Sequence, residues 1–328
     1  MKHYNNTKIY SICDELKNLL TSMRESQSFN PKDYIQKKAN LLNDYFRSAK
    51  LDSVVIGVSG GIDSAVALGL AVEASKVPGS PIKRIYPVML PCMKSSGVTN
   101  QNEARSKGEE VCIALGVKGF TIDIANINNA IRASVEGVTN LFPDDWAIGQ
   151  LVPYSRTPVL YYLTSLLSAN NHSGIVLGTT NLSEGGYLGY VGKASDAMVD
   201  VQIISDIYKS QVYEVAAELH IPDNVINAVP NGDMYDSRTD IEVFGASYDF
   251  VELYQRYLSL PQNTRENVIA WITRVGALNE FNIFAGNLES LHRYNRHKYL
   301  VGSPAVHLDL WPVDIPDGWH HVPWEDKK

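Results

Sequence analysis

The sequence predicts an α/β protein with a doubly wound parallel sheet, flanking helices and a helical C-terminal extension. Four short β-rich runs, SVVIGV, RIYPVML, FTIDI and GIVLGT, alternate with longer stretches of helical periodicity between Ser53 and Thr179. Beyond Tyr254 the patterns are mainly helical, as in TRENVIAWITRVGAL and NIFAGNLESLHRYNRHKYL. Because strands that alternate with helices need crossover connections, the sheet is expected to be parallel and covered on both faces.

Helices are expected on both sides of the first strand. FNPKDYIQKKANLLNDYFRSAK, which ends at Lys50, places apolar side chains such as Leu42 and Phe46 near helical period. The stretch from Thr99 to Gly116 is amphipathic, and its final glycine suits a helix C-cap. No internal repeat or low-complexity linker interrupts the chain. We therefore predict one main domain that includes the N-terminal helix, residues 1–255, and a helical extension of the same domain, residues 256–328.

Composition limits the classes of function. A chain of 328 residues with 45% hydrophobic content can bury a substantial core. A formal net charge of -7 argues against nucleic acid or an anionic membrane as the partner. The 3 cysteines contain no CxxC pair, so they indicate neither a disulfide framework nor a zinc cluster and favour a reducing cytoplasm. The N-terminus lacks a signal-peptide core, and no apolar run is long enough to span a bilayer.

The loop after the first strand carries the components of a phosphate site. VVIGVSGGIDSAVALGLAVEA, residues 54–74, contains neither a Walker A loop nor a GxGxxG dinucleotide fingerprint. Gly60 and Gly61 permit positive φ and leave their amides unobstructed, while Ser59 and Ser64 add hydroxyl donors. The helix that begins near Asp63 directs the positive end of its dipole at the same point.

Asp63 is unexpected in an anion site because a carboxylate repels phosphate. A divalent cation between the two would remove this conflict, since Mg²⁺ binds through one or two carboxylates together with phosphate oxygens. The alternative is an ordinary glycine-rich turn in which Asp63 caps the helix. The complete SGGIDS after an apolar strand favours the phosphate site.

SGGIDS resembles the pyrophosphate loop of the N-type ATP pyrophosphatases, which cleave ATP between its α- and β-phosphates. This resemblance implies an adenine nucleotide alpha hydrolase-like fold. A second segment, GIVLGTTNLSEGGYLGYVGKASDAMVDVQIISDIYKSQV, is similar to the NAD synthetase segment GTDHAAEA…TKYGDGGAD…LTKRQ. The spacing from Lys193 through Asp200 to Lys209 matches that family without a gap, and one extra residue is needed between Glu184 and Lys193.

Three further stretches resemble the NAD synthetases. YSRTP around Arg156 resembles KARTR, PNGD followed by TDIEVFGASYD resembles PTAD…SDETELGISYD, and HKYLVGSPAVHLDLW resembles HKRxxPxxxxDxW. The chain departs from the family at three positions. Met89 stands for an arginine after the second strand, Pro158 for the second arginine of ARTR, and Asn231 for the threonine of PTAD. These departures affect the contacts expected around the adenine and ribose.

The resemblance implies an enzyme that amidates deamido-NAD (nicotinic acid adenine dinucleotide) to NAD with ammonia, through an acyl-adenylate, releasing pyrophosphate and AMP. ATP would be the co-substrate and Mg²⁺ the cofactor. Only about fifty residues precede the loop, too few for a glutaminase fold, so we expect free ammonia as the nitrogen source. The family also implies a homodimer in the cytoplasm, without nucleic-acid or membrane partners.

Three alternatives remain open at this point. The chain could be another N-type ATP pyrophosphatase, such as a GMP synthetase-like amidotransferase or a tRNA thiolase, although no reactive cysteines or basic RNA surface are evident. It could also be a synthetase subunit that a separate glutaminase supplies with ammonia. A nucleotide-binding module without catalysis is a third, against which the intact Asp63, Glu184 and Lys209 argue.

The resemblance further implies the residues of the site. We expect the metal ligands to be Asp63 and Glu184. We expect catalytic roles for Asp63, Lys193, Asp196 and Lys209. We expect contacts to deamido-NAD from Arg156, Lys193, Asp200, His297 and Lys298. We expect contacts to ATP from Gly57, Val58, Ser59, Gly60, Gly61, Ile62, Asp63, Ser64, Thr179, Lys209 and Asn231.

Overall fold

The computed structural model describes residues 10–93, 101–230, 232, 238–299 and 305–311. Six strands of these residues form one sheet: β1 (Ser53–Gly57), β2 (Arg84–Met89), β3 (Phe120–Thr121), β4 (Gly174–Gly178), β5 (Val201–Gln202) and β6 (Val306–His307). Their order in the sheet is β3-β2-β1-β4-β5-β6, and every neighbouring pair is parallel. The predicted fold class is therefore confirmed.

Helices cover the sheet and extend beyond it. No helix among the described residues is long and apolar enough to cross a membrane. The helices are α1 (Asp14–Glu25), α2 (Pro31–Ser48), α3 (Ile62–Lys76), α4 (Gln101–Ala114), α5 (Ala125–Thr139), α6 (Asp145–Ala169), α7 (Leu182–Gly185), α8 (Lys209–Glu218), α9 (Asp223–Ile226), α10 (Asp240–Phe244), α11 (Tyr248–Leu258), α12 (Gln262–Arg274), α13 (Leu278–Tyr294) and α14 (Arg296–Tyr299).

The four predicted β-rich runs contain β1 to β4, and the amphipathic stretch before Gly116 contains α4. Gly116 has a φ of +70°, the left-handed conformation expected after a helix end. The strands β5 and β6 were not predicted. Each has only two residues, and each is defined by pairing with a neighbour rather than by a pattern of its own.

The sheet is buried on both faces, as its alternating side chains require. Val54 and Ile56 belong to a core that also contains side chains of α2, α3 and α8. Val55 points to the opposite face, where it joins a core with Val152 and Leu167 of α6. Since β1 lies between β2 and β4, the carboxyl ends of β1 and β4 border the crevice where ligands of such sheets bind.

A separate hydrophobic cluster lies among the C-terminal helices. Phe250 of α11 and Phe281 of α13 pack there together with Leu16 and Leu20 of α1. The N-terminal helix α1 therefore packs against the C-terminal helices, while α2 packs on the sheet. The domain boundary between residues 255 and 256 stays a prediction, and it falls inside α11.

Candidate active site

The loop between β1 and α3 takes a shape that only glycine permits at Gly60. This residue has a φ of +81°, and a Cβ atom there would lie 2.3 Å from the carbonyl oxygen of Ala104. Two serine hydroxyls hold the turn from within. The Oγ atoms of Ser59 and Ser64 are 3.2 Å apart, and Ser64 Oγ donates to the Gly61 carbonyl at 2.9 Å. Hydrogen bonds within the loop and its close contact with Ala104 thus fix its shape.

Asp63 lies in the first turn of α3 but does not cap this helix. The N-cap of α3 is Gly61, and no side chain caps this helix end. The Asp63 carboxylate instead accepts hydrogen bonds from Asn181 Nδ2 at 2.8 Å and from Lys209 Nζ at 2.5 Å. The interpretation of Asp63 as a helix cap is therefore wrong.

Lys209 joins Asp63 to a second predicted metal ligand, Glu184. Its Nζ lies 2.9 Å from Glu184 Oε1 in addition to the contact with Asp63. Three elements supply these groups, because Asp63 lies in the first turn of α3, Glu184 in α7 after β4, and Lys209 at the start of α8. The Lys209 side chain is 3% exposed, against 18% for Asp63 and 16% for Glu184. The fold thus assembles one largely buried charged cluster beside the glycine loop.

The charged groups of this cluster shift one another's pKa values. Burial raises the pKa of Asp63; Lys209 opposes this rise and Glu184 adds to it. Burial also disfavours the ionised form of Glu184, but Lys209 and the hydroxyl of Tyr248 outweigh it and hold the Glu184 pKa below its ordinary value. The pKa of Lys209 lies well above its usual range despite burial, because two carboxylates face it. One ammonium therefore serves two carboxylates, which leaves net negative charge for a further cation.

The donor set of Asp63 and Glu184 fits Mg²⁺ bound together with phosphate oxygens. Within the part of the chain that the structure describes, no group of three or more His, Cys, Asp or Glu side chains is arranged to hold a metal ion. Mg²⁺ in nucleotide sites needs only one or two carboxylates, because phosphates and waters complete its six positions.

Three polar residues that were not singled out from the sequence surround the cluster: Asn181, Tyr248 and Asp240. The Oδ1 atom of Asn181 accepts from the Glu184 amide at 3.1 Å, while its Nδ2 donates to Asp63. The Tyr248 hydroxyl lies 2.7 Å from Glu184 Oε1 and 2.7 Å from Asp240 Oδ2. All three lie inside segments that resemble the family, which was the available signal, but the pattern does not show which side chains meet.

The turn after β4, which contains Thr179, is tied to the loop that contains Asp196. Gln202 of β5 makes this link, because its Oε1 accepts from the Thr180 amide at 3.1 Å and its Nε2 donates to the Asp196 carbonyl at 2.8 Å. The Asp196 carboxylate accepts from the Gly192 amide at 3.1 Å. Asp196 thus holds its own loop in shape, and its catalytic role stays a prediction.

The C-terminal His-Lys pair lies near the same loop. Burial lowers the pKa of Lys298, Asp196 opposes this effect, and the positive charge of Lys193 adds to it. Lys193 and His297 are exposed, whereas Lys298 is half-buried. The structure therefore brings together two cationic residues, Lys193 and Lys298, that are far apart in the sequence.

Arg156 lies within α6, and Asp200 lies immediately before β5. Arg156 Nε donates to the Leu90 carbonyl at 3.3 Å, just beyond the end of β2. Asp200 accepts from the Val176 amide at 2.7 Å and from the Tyr161 hydroxyl at 3.3 Å. Burial, together with the Asp200 charge, raises the pKa of Tyr161 to about 12. Asp200 therefore fastens β4 to α6, and its contact with the dinucleotide stays a prediction.

The departures from the family have different structural settings. Met89 is 2% exposed and fills the space next to Gly108, where a Cβ would lie 2.8 Å from Met89 Cγ. An arginine at this buried position would have to lose its hydration. Pro158 lies inside α6, on the helix that carries Arg156. Asn231 lies outside the described residues.

The model of the NAD synthase family matches residues 34–298 of the chain. The chain belongs to this family. The NH3-dependent NAD+ synthetase of Thermoplasma volcanium is 32% identical over 221 residues, which are 67% of this chain and 82% of that protein. The NMN synthetase of Francisella tularensis is 25% identical, with a TM-score of 0.64 over 83% of this chain and 96% of that one. The NAD+ synthetase of Burkholderia pseudomallei, 21% identical over 80% of this chain and 94% of its own, shares the fold with a TM-score of 0.57.

These matches confirm the predicted family and an enzyme of the NAD synthetase type, for which ATP is a substrate. The relatives support ammonia-dependent NAD synthesis. The GMP synthetase-like and tRNA thiolase alternatives are not favoured.

Proposed function

We propose that the chain amidates the nicotinate carboxylate of deamido-NAD with ammonia at the expense of ATP. The observation that carries this proposal is the buried cluster of Asp63, Glu184 and Lys209 beside the glycine loop, in a chain of the NAD synthase family. A carboxylate is a poor acyl donor at neutral pH. Activation by ATP must therefore precede amide formation.

The reaction has two steps. In the first, an oxygen of the nicotinate carboxylate attacks the α-phosphorus of ATP, the bond from that phosphorus to the bridging oxygen breaks, and pyrophosphate leaves. In the second, ammonia attacks the carbonyl carbon of the acyl-adenylate, the carbon–oxygen bond to AMP breaks, and a proton is released. Such transfers depend mainly on positioning and on neutralising charge.

The ATP side of the site would be formed by the loop from Gly57 to Ser64, by Thr179 and Asn231, and by the cluster. Lys209 would offset the charge that develops on the leaving pyrophosphate. Asp63 and Glu184 would hold Mg²⁺, which neutralises phosphate charge when it is bound. The support for this assignment is that two largely buried carboxylates share one ammonium.

The dinucleotide side would be formed by Arg156, Lys193, Asp200, His297 and Lys298. Four of these residues carry or can acquire positive charge, which suits an anionic dinucleotide. The positive charge of Lys193 lowers the pKa of Lys298, and an anion bound by both ammonium groups would offset their repulsion.

A second candidate acceptor is nicotinate mononucleotide, whose amidation gives NMN. The solved NMN synthetase of Francisella tularensis, aligned over 96% of its length, favours this candidate. The chemistry at the nicotinate carboxylate is the same for both acceptors.

We also propose that the protein is a cytoplasmic homodimer. An apolar surface, which we call the α5–α6 surface, runs from α5 into α6. It is formed by the exposed side chains of Val135, Val138, Leu141, Phe142 and Trp146, of which Phe142 is 94% exposed. Contiguous exposed apolar side chains of this size typically mark an interface. The three cysteines form no disulfide in the described part of the chain, which supports a reducing compartment.

The experiment that tests the reaction incubates the purified protein with ATP and Mg²⁺ and varies both the acceptor and the nitrogen source. The acceptors are deamido-NAD and nicotinate mononucleotide, and the nitrogen sources are ammonium and glutamine. NAD and AMP formed from deamido-NAD with ammonium alone support the proposal. A higher kcat/KM for the mononucleotide supports the second candidate. Product with glutamine would contradict the proposed use of free ammonia.

Asp63→Asn tests the metal assignment. The amide keeps the size of the carboxylate and removes its charge, so we expect Mg²⁺-dependent turnover to fall by about 10²-fold or more while the fold persists. Circular dichroism and the melting temperature provide the control for folding. A near-normal kcat at the usual Mg²⁺ concentration would remove Asp63 from the metal site.

A further inference from the structure

The hydroxyl of Tyr248 lies between two carboxylates at the edge of the buried cluster. Its oxygen is 2.7 Å from Glu184 Oε1 and 2.7 Å from Asp240 Oδ2. On its other oxygen, Asp240 accepts from the Tyr190 hydroxyl at 3.3 Å. Tyr248 is 2% exposed and Asp240 4% exposed, so bulk water does not compete for these bonds.

Glu184 receives two strong donors at one oxygen. Lys209 Nζ at 2.9 Å and the Tyr248 hydroxyl at 2.7 Å both meet Oε1. Lys209 is shared with Asp63, whereas the Tyr248 hydroxyl is shared with Asp240. Glu184 itself lies on a helix of only 4 residues, which offers little support of its own. The rotation of its carboxylate therefore depends on Lys209 and Tyr248.

A phenol has one proton, so Tyr248 can donate to only one of its two carboxylate neighbours. Glu184 faces the ammonium of Lys209 and is ionised, and it needs a donor from Tyr248 at this short distance. The remaining contact is then satisfied if Asp240 donates to the phenol oxygen. Burial, with the nearby charge of Glu184, raises the pKa of Asp240 to about 6, so this carboxyl group carries the proton it would donate below about pH 6.

We propose that Tyr248 is a positioning residue for the metal ligand Glu184, and that Asp240 orients the Tyr248 hydroxyl toward it. This inference rests on the role of Glu184 in the proposed function. Tyr248 belongs to α11 and Asp240 to α10, whereas the cluster residues belong to α3, α7 and α8. α10 and α11, which lie between β5 and β6 in the chain, thus hold part of the ATP site in place.

Tyr248→Phe removes the hydroxyl and keeps the ring. The edge-to-face contact with Phe244, whose ring centroid lies 5.4 Å from that of Tyr248, does not involve the oxygen. Tyr254→Phe is the matched control, because Tyr254 lies on the same helix and its hydroxyl donates to Glu289 at 2.5 Å, away from the cluster. Each protein is titrated with Mg²⁺ in the presence of a non-hydrolysable ATP analogue. The rise in melting temperature gives the half-saturating Mg²⁺ concentration, and the Mg²⁺ dependence of product formation is measured in parallel.

We expect the half-saturating Mg²⁺ concentration of Tyr248→Phe to rise about tenfold or more in both measurements, the usual effect of losing a partner of a metal ligand. The kcat at saturating Mg²⁺ should fall by a smaller factor. Tyr254→Phe should stay within about twofold of the unmodified protein. Identical titrations for the two variants would overturn the inference.

A second pair of variants tests Asp240 and also serves if Tyr248→Phe does not fold. Asp240→Asn keeps a donor for the phenol oxygen and Asp240→Ala removes it, so only the alanine variant should raise the half-saturating Mg²⁺ concentration markedly. Equal values for the two would overturn the orienting role. If the unmodified protein shows no Mg²⁺-dependent stabilisation or turnover, the metal site of the proposed function fails, and this inference fails with it.

Discussion

Lys209 offsets the negative charge of two carboxylates within the protein, and its burial distinguishes it from the other lysines of the site. In the sequence Lys209 and Lys193 are both lysines at positions that match a family. In the structure Lys209 is 3% exposed and bonded to Asp63 and Glu184, whereas Lys193 is exposed. The energetic consequences of removing the two charges should therefore differ strongly.

Lys209→Met keeps the length of the side chain and removes the charge. Removing one partner of a buried ion pair leaves uncompensated charge, so we expect the free energy of unfolding to fall by about 3–5 kcal/mol. Lys193→Met, at an exposed position, should change it by less than about 0.5 kcal/mol. Urea unfolding at neutral pH measures both. Equal stabilities for the two variants would contradict the buried cluster.

Asp240 should give the stability a specific pH dependence. Its folded-state pKa is raised to about 6 by burial and by Glu184, with Lys209 and Tyr248 opposing the rise and Tyr190 as a further neighbour. A raised pKa means that the folded state binds this proton more tightly than the unfolded chain, whose aspartate pKa is about 3.9. The contribution to stability is therefore complete below about pH 4 and is lost as the pH rises through about 6.

Asp240→Asn removes this titration. The free energy of unfolding of the unmodified protein, minus that of the variant, should fall by roughly 2 kcal/mol between pH 4 and pH 7. Urea unfolding at intervals of one pH unit measures this difference. A difference that does not change with pH would show that Asp240 titrates normally.

At the scale of elements, the turn between β1 and α3 depends on close contact as well as on backbone conformation. Gly60 has a φ of +81° and sits against the Ala104 carbonyl of α4. Gly79 has nearly the same conformation, with a φ of +77°, but nothing lies within 4 Å of the point that a Cβ atom would occupy there. The two glycines separate the cost of the conformation from the cost of the contact.

Gly79→Ala should cost only the strain of the left-handed conformation, about 1 kcal/mol. Gly60→Ala should lower the free energy of unfolding by more than this, because the loop or α4 must also move. It should also reduce turnover by at least tenfold, because the phosphate loop shifts. Thermal unfolding and kcat/KM for ATP check both variants. Equal losses of stability in the two variants would mean that moving α4 away from the new Cβ atom requires no measurable free energy.

The edge strand β6 is held by a buried ion pair that its own sequence does not contain. Lys38 of α2 is fully buried, lies 3.0 Å from Asp206 Oδ2, and also donates to the Leu308 carbonyl. The same Asp206 oxygen accepts from the Leu310 amide at 2.9 Å. The segment after the His-Lys pair is therefore anchored to the sheet by a helix from the beginning of the chain.

At the scale of the whole molecule, the α5–α6 surface is the feature that a monomer does not explain. We expect Val138→Asp combined with Phe142→Asp to weaken the proposed dimer by about a hundredfold or more, because both side chains would bring charge into an apolar interface. Ile113→Asp is the control, since Ile113 is 77% exposed and lies on α4, outside this surface. Light scattering after size-exclusion chromatography measures the mass. An unmodified protein that is monomeric throughout would contradict the dimer.

Local patterns in the sequence determined the fold class, β1 to β4, the longer helices and the glycine loop. Strand and helix periodicity are properties of contiguous residues, and the loop needs small residues at fixed positions. The family resemblance added Glu184 and Lys209, which spacing alone would have left as surface charges.

Only the tertiary structure decided which side chains meet and which are buried. The strands β5 and β6 have two residues each and exist through pairing. Lys38 has the same appearance in the sequence as an exposed lysine of an amphipathic helix, yet it is fully buried. Tyr248 of α11 contacts Glu184, and Asp240 of α10 contacts Tyr248, across long separations in the sequence. A hydrogen bond or ion pair between distant segments depends on how those segments pack, and no pattern within either segment contains that information.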